Sequence, residues 1–246
     1  MVSLKKVILC GILALSASSS FAQKGTKSPY SVFGLGELNN GEYAYFMGMG
    51  NAYTANTDST IVNNNNPASY AYIKRNRPLF QIGLNGKLTT LTDGTSSAKY
   101  HNLGLNQFQM GVPIAKKWGG SFGLTPYSST GYNIVNSNIV NDDTITKTIN
   151  EGAGTISKFH IGTSFKQKIN KSSSIAIGVN ANYLFGASNK IQSFEYVSNP
   201  EFAFHSRVEN KTRLNSFNFD LGLIYEQSLG NNSFSIGLKY SPGAKL

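Results

Sequence analysis

The stretch Phe219-Asp220-Leu221-Gly222-Leu223 contains the pattern that decides the fold. An apolar or aromatic pair stands at alternate positions, and a glycine that breaks the apolar face follows. A period of two makes one face of a segment apolar and the other polar or bare, which is typical of β-strands. The phrase occurs seven times, and its other copies begin at Phe80, Phe108, Gly120, Phe159, Ile175 and Phe234.

The seven copies predict seven long strands joined by turn signals. The predicted strands cover about 79–91, 100–114, 118–140, 144–167, 172–197 and 203–228, with a seventh ending near 240. Their apolar sets match the roughly 9–11 residues of a tilted membrane strand, and several strands continue as polar extensions. A soluble sandwich also alternates. Seven copies spaced as long hairpins behind an export signal favour an all-β, antiparallel transmembrane β-barrel of the outer membrane.

Residues 1–22 have the features of a secretory signal peptide. Lys5 and Lys6 precede an apolar core, and Ser20-Phe21-Ala22 is a small-x-small cleavage site. The single cysteine, Cys10, lies inside this segment, so the mature chain is predicted to lack disulfides, thiol nucleophiles and cysteine metal sites. The signal predicts Sec export and location in the outer membrane of a Gram-negative cell.

The composition suits a lipid-facing barrel. Only 14% of residues are charged, whereas tyrosine and phenylalanine occur 13 and 15 times, which aromatic girdles would use. Loss of the signal's two lysines lowers the net charge from +10 by two, to +8. The basic residues are scattered singly through turns and loops without a basic helix or basic-aromatic stripe, so nucleic-acid binding is not predicted. The positive charge is predicted to attract anionic outer-membrane lipids and lipopolysaccharide.

The mature chain divides into two parts. Residues 23–77 are rich in glycine and asparagine, and the strands occupy 78–246. Seven is an odd number, whereas single-chain bacterial barrels have even numbers of strands, so we expect a fragment, the front half of a larger barrel. An eight-stranded alternative splits 144–167 at Gly152-Ala153-Gly154.

Three blocks of the N-terminal part, Met47–Ala55, Asp58-Ser59 and Asn65–Ser69, resemble the FadL/OmpP1 family of outer-membrane proteins. Ser28–Gly36 resembles the branch of that family found in Bacteroidota. The resemblance implies a fourteen-stranded barrel with an N-terminal hatch that transports long-chain fatty acids and other hydrophobic compounds. Seven strands are half of that number.

The resemblance also implies a hatch that lies beside the substrate path. On the residues that match, its members would be Gly48, Gly50, Asp58, Asn66, Pro67 and Ala68. The competing interpretation is that Asn66-Pro67 only makes a turn, for which both residue types are common.

A lateral gate is a further implication. In the family the third strand kinks inward and opens the wall, and Pro126 with Gly123 and Gly131 would form that kink here. Alternatively, Pro126 marks the end of the membrane-embedded part of the strand, where a missing ladder hydrogen bond costs little.

Catalytic and metal sites are not predicted. His101, His160 and His205 are scattered without acidic partners at metal spacing. His160 with Ser164 or Ser174 would make a hydrolase pair only by chance, and Asp142-Asp143 fits a solvated turn better than a calcium site. No phosphate-binding glycine loop occurs, so no cofactor is predicted.

The predicted function is therefore passive, hatch-gated passage of hydrophobic small molecules. The first alternative is an accessory barrel of type IX secretion that binds secretion-system proteins through its long extensions. The second alternative is a small closed barrel with a structural or adhesive role.

Overall fold

A computed structural model describes residues 26–39, 43–92, 94–140, 144–196, 205–230 and 232–243. The predicted signal peptide and the pair Asp142-Asp143 lie outside the described residues.

Seven long strands form one antiparallel sheet in chain order, and a short first strand, β1, pairs with β4. The all-β antiparallel prediction is confirmed, and the observed bounds differ from the predicted ones by at most three residues. The strands are β1 (Glu37–Leu38), β2 (Leu79–Thr92), β3 (Ser97–Ala115), β4 (Trp118–Val140), β5 (Thr144–Lys168), β6 (Ser173–Tyr196), β7 (Ser206–Leu229) and β8 (Asn232–Tyr240).

The predicted single strand over 144–167 is confirmed and the alternative split does not occur, because β5 runs unbroken through its glycines. Gly152 pairs with Tyr132 on one side and Lys190 on the other. A Cβ at Gly152 would lie 2.0 Å from the Tyr132 ring, so glycine at this position makes room for a neighbour's side chain. These glycines serve packing within a continuous strand.

Helical structure in the described residues is limited to three short stretches. They are a 3₁₀ turn (Pro29–Val32), α1 (Ala44–Met47) and a 3₁₀ helix (Pro67–Tyr72). None of them is long and apolar enough to cross a membrane. The last begins with a proline, whose fixed φ suits a first helical position, and the preceding Asn66 caps it by accepting from the Ala68 N–H at 3.1 Å.

The two faces of the sheet are unlike. The outer face is exposed and apolar; it comprises Phe80, Ile82, Leu84, Phe122, Leu124, Phe159, Ile161, Phe165, Ile177, Val179, Phe217, Phe219, Leu221, Ile236 and Leu238. The inner face alternates with it and is buried and polar; it includes Gln81, Gln109, Ser121, His160, Ser164, Asn180, Asn182 and Asp220. A soluble one-sided sheet has the reverse arrangement, with apolar residues buried and polar residues in water.

The N-terminal segment covers the inner face through small apolar clusters. Val62, Tyr70 and Ile73 form one cluster, and Ala68 packs with Ala176 and Ile224 in another. The buried apolar core is therefore the seam between this segment and the sheet.

Glycines of the repeated phrase lie on the inner face, so the expectation that they break the apolar face is wrong. A Cβ at Gly178 would lie 2.4 Å from the Pro67 carbonyl carbon, and one at Gly237 would lie 2.1 Å from the Thr54 carbonyl oxygen. Because backbone cannot yield as a flexible side chain does, these positions accept only glycine. The repeated phrase therefore does two things. Its alternation favours a strand, and its glycine allows the N-terminal segment to pack closely on that strand.

The sheet splits between β3 and β4. Their ladder joins Phe108–Ala115 to Trp118–Leu124 and ends there. Beyond it β4 continues to Val140 paired with β5, while the first part of β3 pairs with β2. We call this split the fork.

Candidate functional site

Asn66 is the centre of the contact between the N-terminal segment and the sheet. Its side chain is fully buried, and its Nδ2 donates to the Thr54 carbonyl at 2.6 Å while Oδ1 accepts from Ala68. Pro67 and Ala68 are buried beside it. The predicted Asn-Pro-Ala turn therefore exists, and it seats the segment on strands β6 and β7 at Gly178 and Gly222.

A second buried polar contact fixes the same segment. The Tyr70 hydroxyl donates to Asn180 Oδ1 at 2.9 Å, and Asn180 Nδ2 donates to the Asn64 carbonyl at 3.1 Å. Burial raises the pKa of the Tyr70 hydroxyl well above its ordinary value, so the hydroxyl remains a donor. Both ends of the Asn180 amide are thereby satisfied by the segment.

The other predicted hatch residues do not join Asn66. Gly48 ends α1 and Gly50 adopts φ +63°, and both are exposed. Asp58 accepts from the Thr60 N–H and hydroxyl and from the Tyr45 hydroxyl. Burial acts to raise the pKa of Asp58, but these hydrogen bonds outweigh it and lower the pKa. Asp58 thus organises a local turn.

The predicted gate residues bracket the fork. Gly123 is paired with Gln109 next to the end of the β3–β4 ladder. Pro126 lies just beyond that end, and the β4–β5 register shifts between Pro126 and Ser128. Gly131 accepts from the Ser28 N–H at 2.9 Å and donates to the Ser31 hydroxyl at 3.0 Å. A bulge and a split therefore coincide at Pro126, and lateral opening there stays a prediction.

Residues 26–39, which we call the arm, lie in the fork and bind both of its sides. On the β4 side, Glu37 and Leu38 pair with Ser129 and Ser128. On the other side, Glu37 forms an ion pair with Lys87 of β2, and Asn39 Nδ2 donates to Asn106 Oδ1 of β3 at 3.2 Å. The arm is thus a latch across the split.

The charge of Glu37 depends on these contacts. Partial burial acts to raise its pKa, but hydrogen bonds from Lys87 and Thr26 and the charge of Lys87 outweigh burial and lower it. The Thr26 hydroxyl donates at 2.5 Å. Glu37 is therefore ionised at neutral pH.

A cavity of mixed lining lies between the N-terminal segment and strands β4, β5 and β8. Its volume is about 400 Å³. Asn51 and Asn65 line it from the segment, and Lys158 and Lys239 add positive charge from the strands. The remaining lining includes Leu38, Tyr53, Pro126 and Tyr127, so the cavity does not select between polar and apolar groups.

The structure places His160 and Ser174, which the sequence analysis considered for hydrolysis, with different partners. His160 is buried on the inner face with Nε2 3.4 Å from the Ser121 hydroxyl. Ser174 instead donates to Glu226 Oε2 at 3.2 Å. Across the described ranges, no group of three or more His, Cys, Asp or Glu side chains could hold a metal ion.

Comparison with family models identifies the chain. The model of the BamG family matches residues 3–246. The chain belongs to the BamG family. Comparisons with curated proteins and with solved structures gave no match. Membership in this family implies association with the outer membrane and with proteins of the BAM complex.

The BamG match corrects the resemblance to FadL/OmpP1, together with the predicted fatty-acid transport and both alternatives, type IX secretion and a small adhesive barrel. The resemblance rested on a block within 28–70, whereas the family match spans 3–246. That block consists largely of glycine, asparagine and Asn-Pro, which make compact turns against a sheet whatever the protein does. The block therefore indicates compact turns and is not specific to a transport protein.

Sequence patterns did not reveal the arm. A two-residue strand is too short to show a period, and the partners of Glu37 and Asn39 lie about 50 and 67 residues away. The one available signal is Glu37 itself, the first acidic residue of the chain.

Proposed function

We propose that this chain is an accessory subunit of the BAM complex that takes part in assembly of outer-membrane proteins. The observation that carries the proposal is the BamG match over residues 3–246.

We further propose that the outer face contacts lipid and that the sheet forms part of a transmembrane barrel wall. Side chains such as Phe217 and Ile82 are 72% and 67% exposed, which water would penalise across so many strands. A groove of about 770 Å³ on this face is lined by Trp118, Phe165, Leu221 and other uncharged residues. Lipid acyl chains suit such a surface, and outer-membrane barrels have this apolar-out, polar-in alternation.

In this proposal residues 26–39 and 43–77 fill the inside of the wall as a hatch. The segment satisfies inner-face amides such as Asn180 through its own backbone. Its immobilisation by Asn66 and by the arm suits a rigid scaffold that supports assembly partners, while the lateral gate at Gly123, Pro126 and Gly131 remains part of the proposal.

The test is copurification of the full chain, tagged at its C-terminus, from native outer membranes. We expect the other BAM subunits in stoichiometric amounts, and we expect depletion of the chain to lower the levels of folded outer-membrane proteins. An equally tagged, unrelated outer-membrane barrel is the control. Absence of BAM subunits together with unchanged outer-membrane protein levels would contradict the proposal.

A further inference from the structure

One end of the sheet carries a cluster of positively charged side chains. At this end, the turn end, the short connections β3–β4, β5–β6 and β7–β8 lie together with the entry to β2. Eight basic side chains are gathered there, which we call the basic rim: Lys74, Arg75, Arg77, Lys116, Lys117, Lys166, Lys168 and Lys171. Seven are exposed, and Lys166 is half-buried.

Carboxylates of the described residues compensate little of this charge. Glu226 is engaged by Lys166 at 2.9 Å, and Lys166 also lies 3.7 Å from the centre of the Tyr72 ring. Asp58 interacts electrostatically with Lys74. The ion pairs found within the described ranges involve none of the seven exposed members.

The opposite end of the sheet has a mixed surface. Arg207 lies 4.0 Å from Glu209, and the Asn189 amide donates to the same carboxylate at 2.7 Å. Lys99, Lys147, Lys190, Lys211 and Arg213 share this end with Glu151 and Glu195. With Arg207 and Glu209 counted, six basic side chains stand beside three carboxylates here, whereas the eight of the turn end have only Glu226 and Asp58 among the described residues. The excess of positive charge is therefore larger at the turn end.

The basic rim is not confined to the turns at the edge of the outer face. It also includes residues on the inner-face side of the sheet. Lys74, Arg75 and Arg77 belong to the connection between the 3₁₀ helix, which lies on the inner face, and the start of β2. Lys166 is on the inner face, where it meets Tyr72. A bilayer around the outer face reaches the turns at Lys116 and Lys171 but does not reach these inner members. A protein surface laid across the turn end contacts all of them.

We propose that the basic rim docks an acidic surface of another BAM-complex protein. The inference rests on the proposed function and specifies the surface it uses. Complementary charge raises association rates and fixes orientation, and it makes the contact sensitive to salt.

The test is charge reversal in the full chain, followed by copurification of BAM subunits from outer membranes. The rim variant carries Lys116→Glu, Lys117→Glu, Lys168→Glu and Lys171→Glu. The matched control carries four reversals of exposed residues toward the other end, namely Lys99→Glu, Arg207→Glu, Lys211→Glu and Arg213→Glu. We expect at least about a tenfold loss of BAM subunits for the rim variant, little change for the control, and salt-dependent loss for the wild type.

A second variant, Arg75→Glu with Arg77→Glu, leaves the hairpin turns intact and keeps the test valid if the quadruple variant fails to fold. Heat-modifiable gel migration reports folding of each variant. Wild-type retention of BAM subunits by this folded variant would overturn the docking inference while the proposed function stands. If the wild type itself does not copurify, both fail. Retained BAM binding with weakened insertion into phosphatidylglycerol vesicles would assign the basic rim to lipid headgroups and overturn the inference.

Discussion

The outer and inner faces of the sheet share one backbone and one period but have opposite surroundings. On the outer face Ile177 and Phe219 are each 55% exposed, whereas Asn180 and Gln109 on the inner face are 1% and 0% exposed. Alternation alone does not say which face is covered. Glycines of the repeated phrase help to decide it, because at Gly178, Gly222 and Gly237 an added Cβ would collide with the N-terminal segment. The difference shows that these glycines, together with the buried amides, mark the covered side.

Charging the outer face should have the largest effect. If the outer face contacts lipid as proposed, we expect Ile177→Arg with Phe219→Arg to cost about 2–4 kcal/mol per site, because each arginine would then face the hydrocarbon of a bilayer. The measurement is folding into lipid vesicles, followed by heat-modifiable migration and denaturant titration. Val208→Arg is the control, since Val208 is equally exposed on β7 but lies in its polar extension. Equal stability of the double variant and of Val208→Arg would contradict the proposal that the apolar part of the outer face has a different environment from the polar extensions.

Adding one methyl group to the inner face should be nearly as disruptive. In Gly178→Ala the new Cβ meets the Pro67 backbone at 2.4 Å, so we expect a loss of about 3 kcal/mol or release of the N-terminal segment to protease. Gly86→Ala is the matched control, because its Cβ finds its first neighbour at 3.9 Å. Urea unfolding and limited proteolysis measure both. Tolerance of alanine at Gly178 would show that the segment does not rest there.

Removing the Asn66 side chain sharpens the comparison further. Asn66→Ala leaves the Thr54 carbonyl and the Ala68 N–H without their buried partner, which costs about 2 kcal/mol. Asn210→Ala, at an exposed position on β7, should change stability by less than about 0.5 kcal/mol. Denaturant midpoints of the two variants decide the matter, and similar midpoints would contradict the role of Asn66 as an anchor.

The smallest effect concerns the arm and pH. Because the folded pKa of Glu37 is lowered, its contribution is complete above its ordinary value of 4.5 and is lost as pH falls through the lowered value. Both partners are partly exposed, so the contribution is about 0.5 kcal/mol. Hydrogen-exchange protection factors of residues 26–39, which divide out the intrinsic pH dependence of amide exchange, should fall at low pH in the wild type and already be lower at neutral pH in Glu37→Gln. Glu209→Gln is the control, and unchanged exchange in Glu37→Gln would refute the latch.

Much of the sheet could be predicted from the sequence, because side-chain alternation along a strand is a local property. Strand β4, for example, has the predicted bounds of 118–140. The Asn66 turn was also predictable, since asparagine before proline has strong local preferences. The arm and the basic rim were not. The members of the basic rim fall in three short groups far apart along the chain, around Lys74, Lys116 and Lys168, and only the strand pairing brings these groups to one end.

The anchoring of the N-terminal segment has a consequence for the order of folding. Asn66 lies 157 and 172 residues before the strand carbonyls it approaches, at Leu223 and Leu238, and the Ser235 hydroxyl donates to Ala55 across 180 residues. Contacts of such large sequence separation form slowly, since a long loop must close before they stabilise anything. The stretch from Ala55 to Asn66 is therefore expected to complete its native contacts late, only after β7 and β8 have paired, although it precedes every strand of the main sheet in the chain.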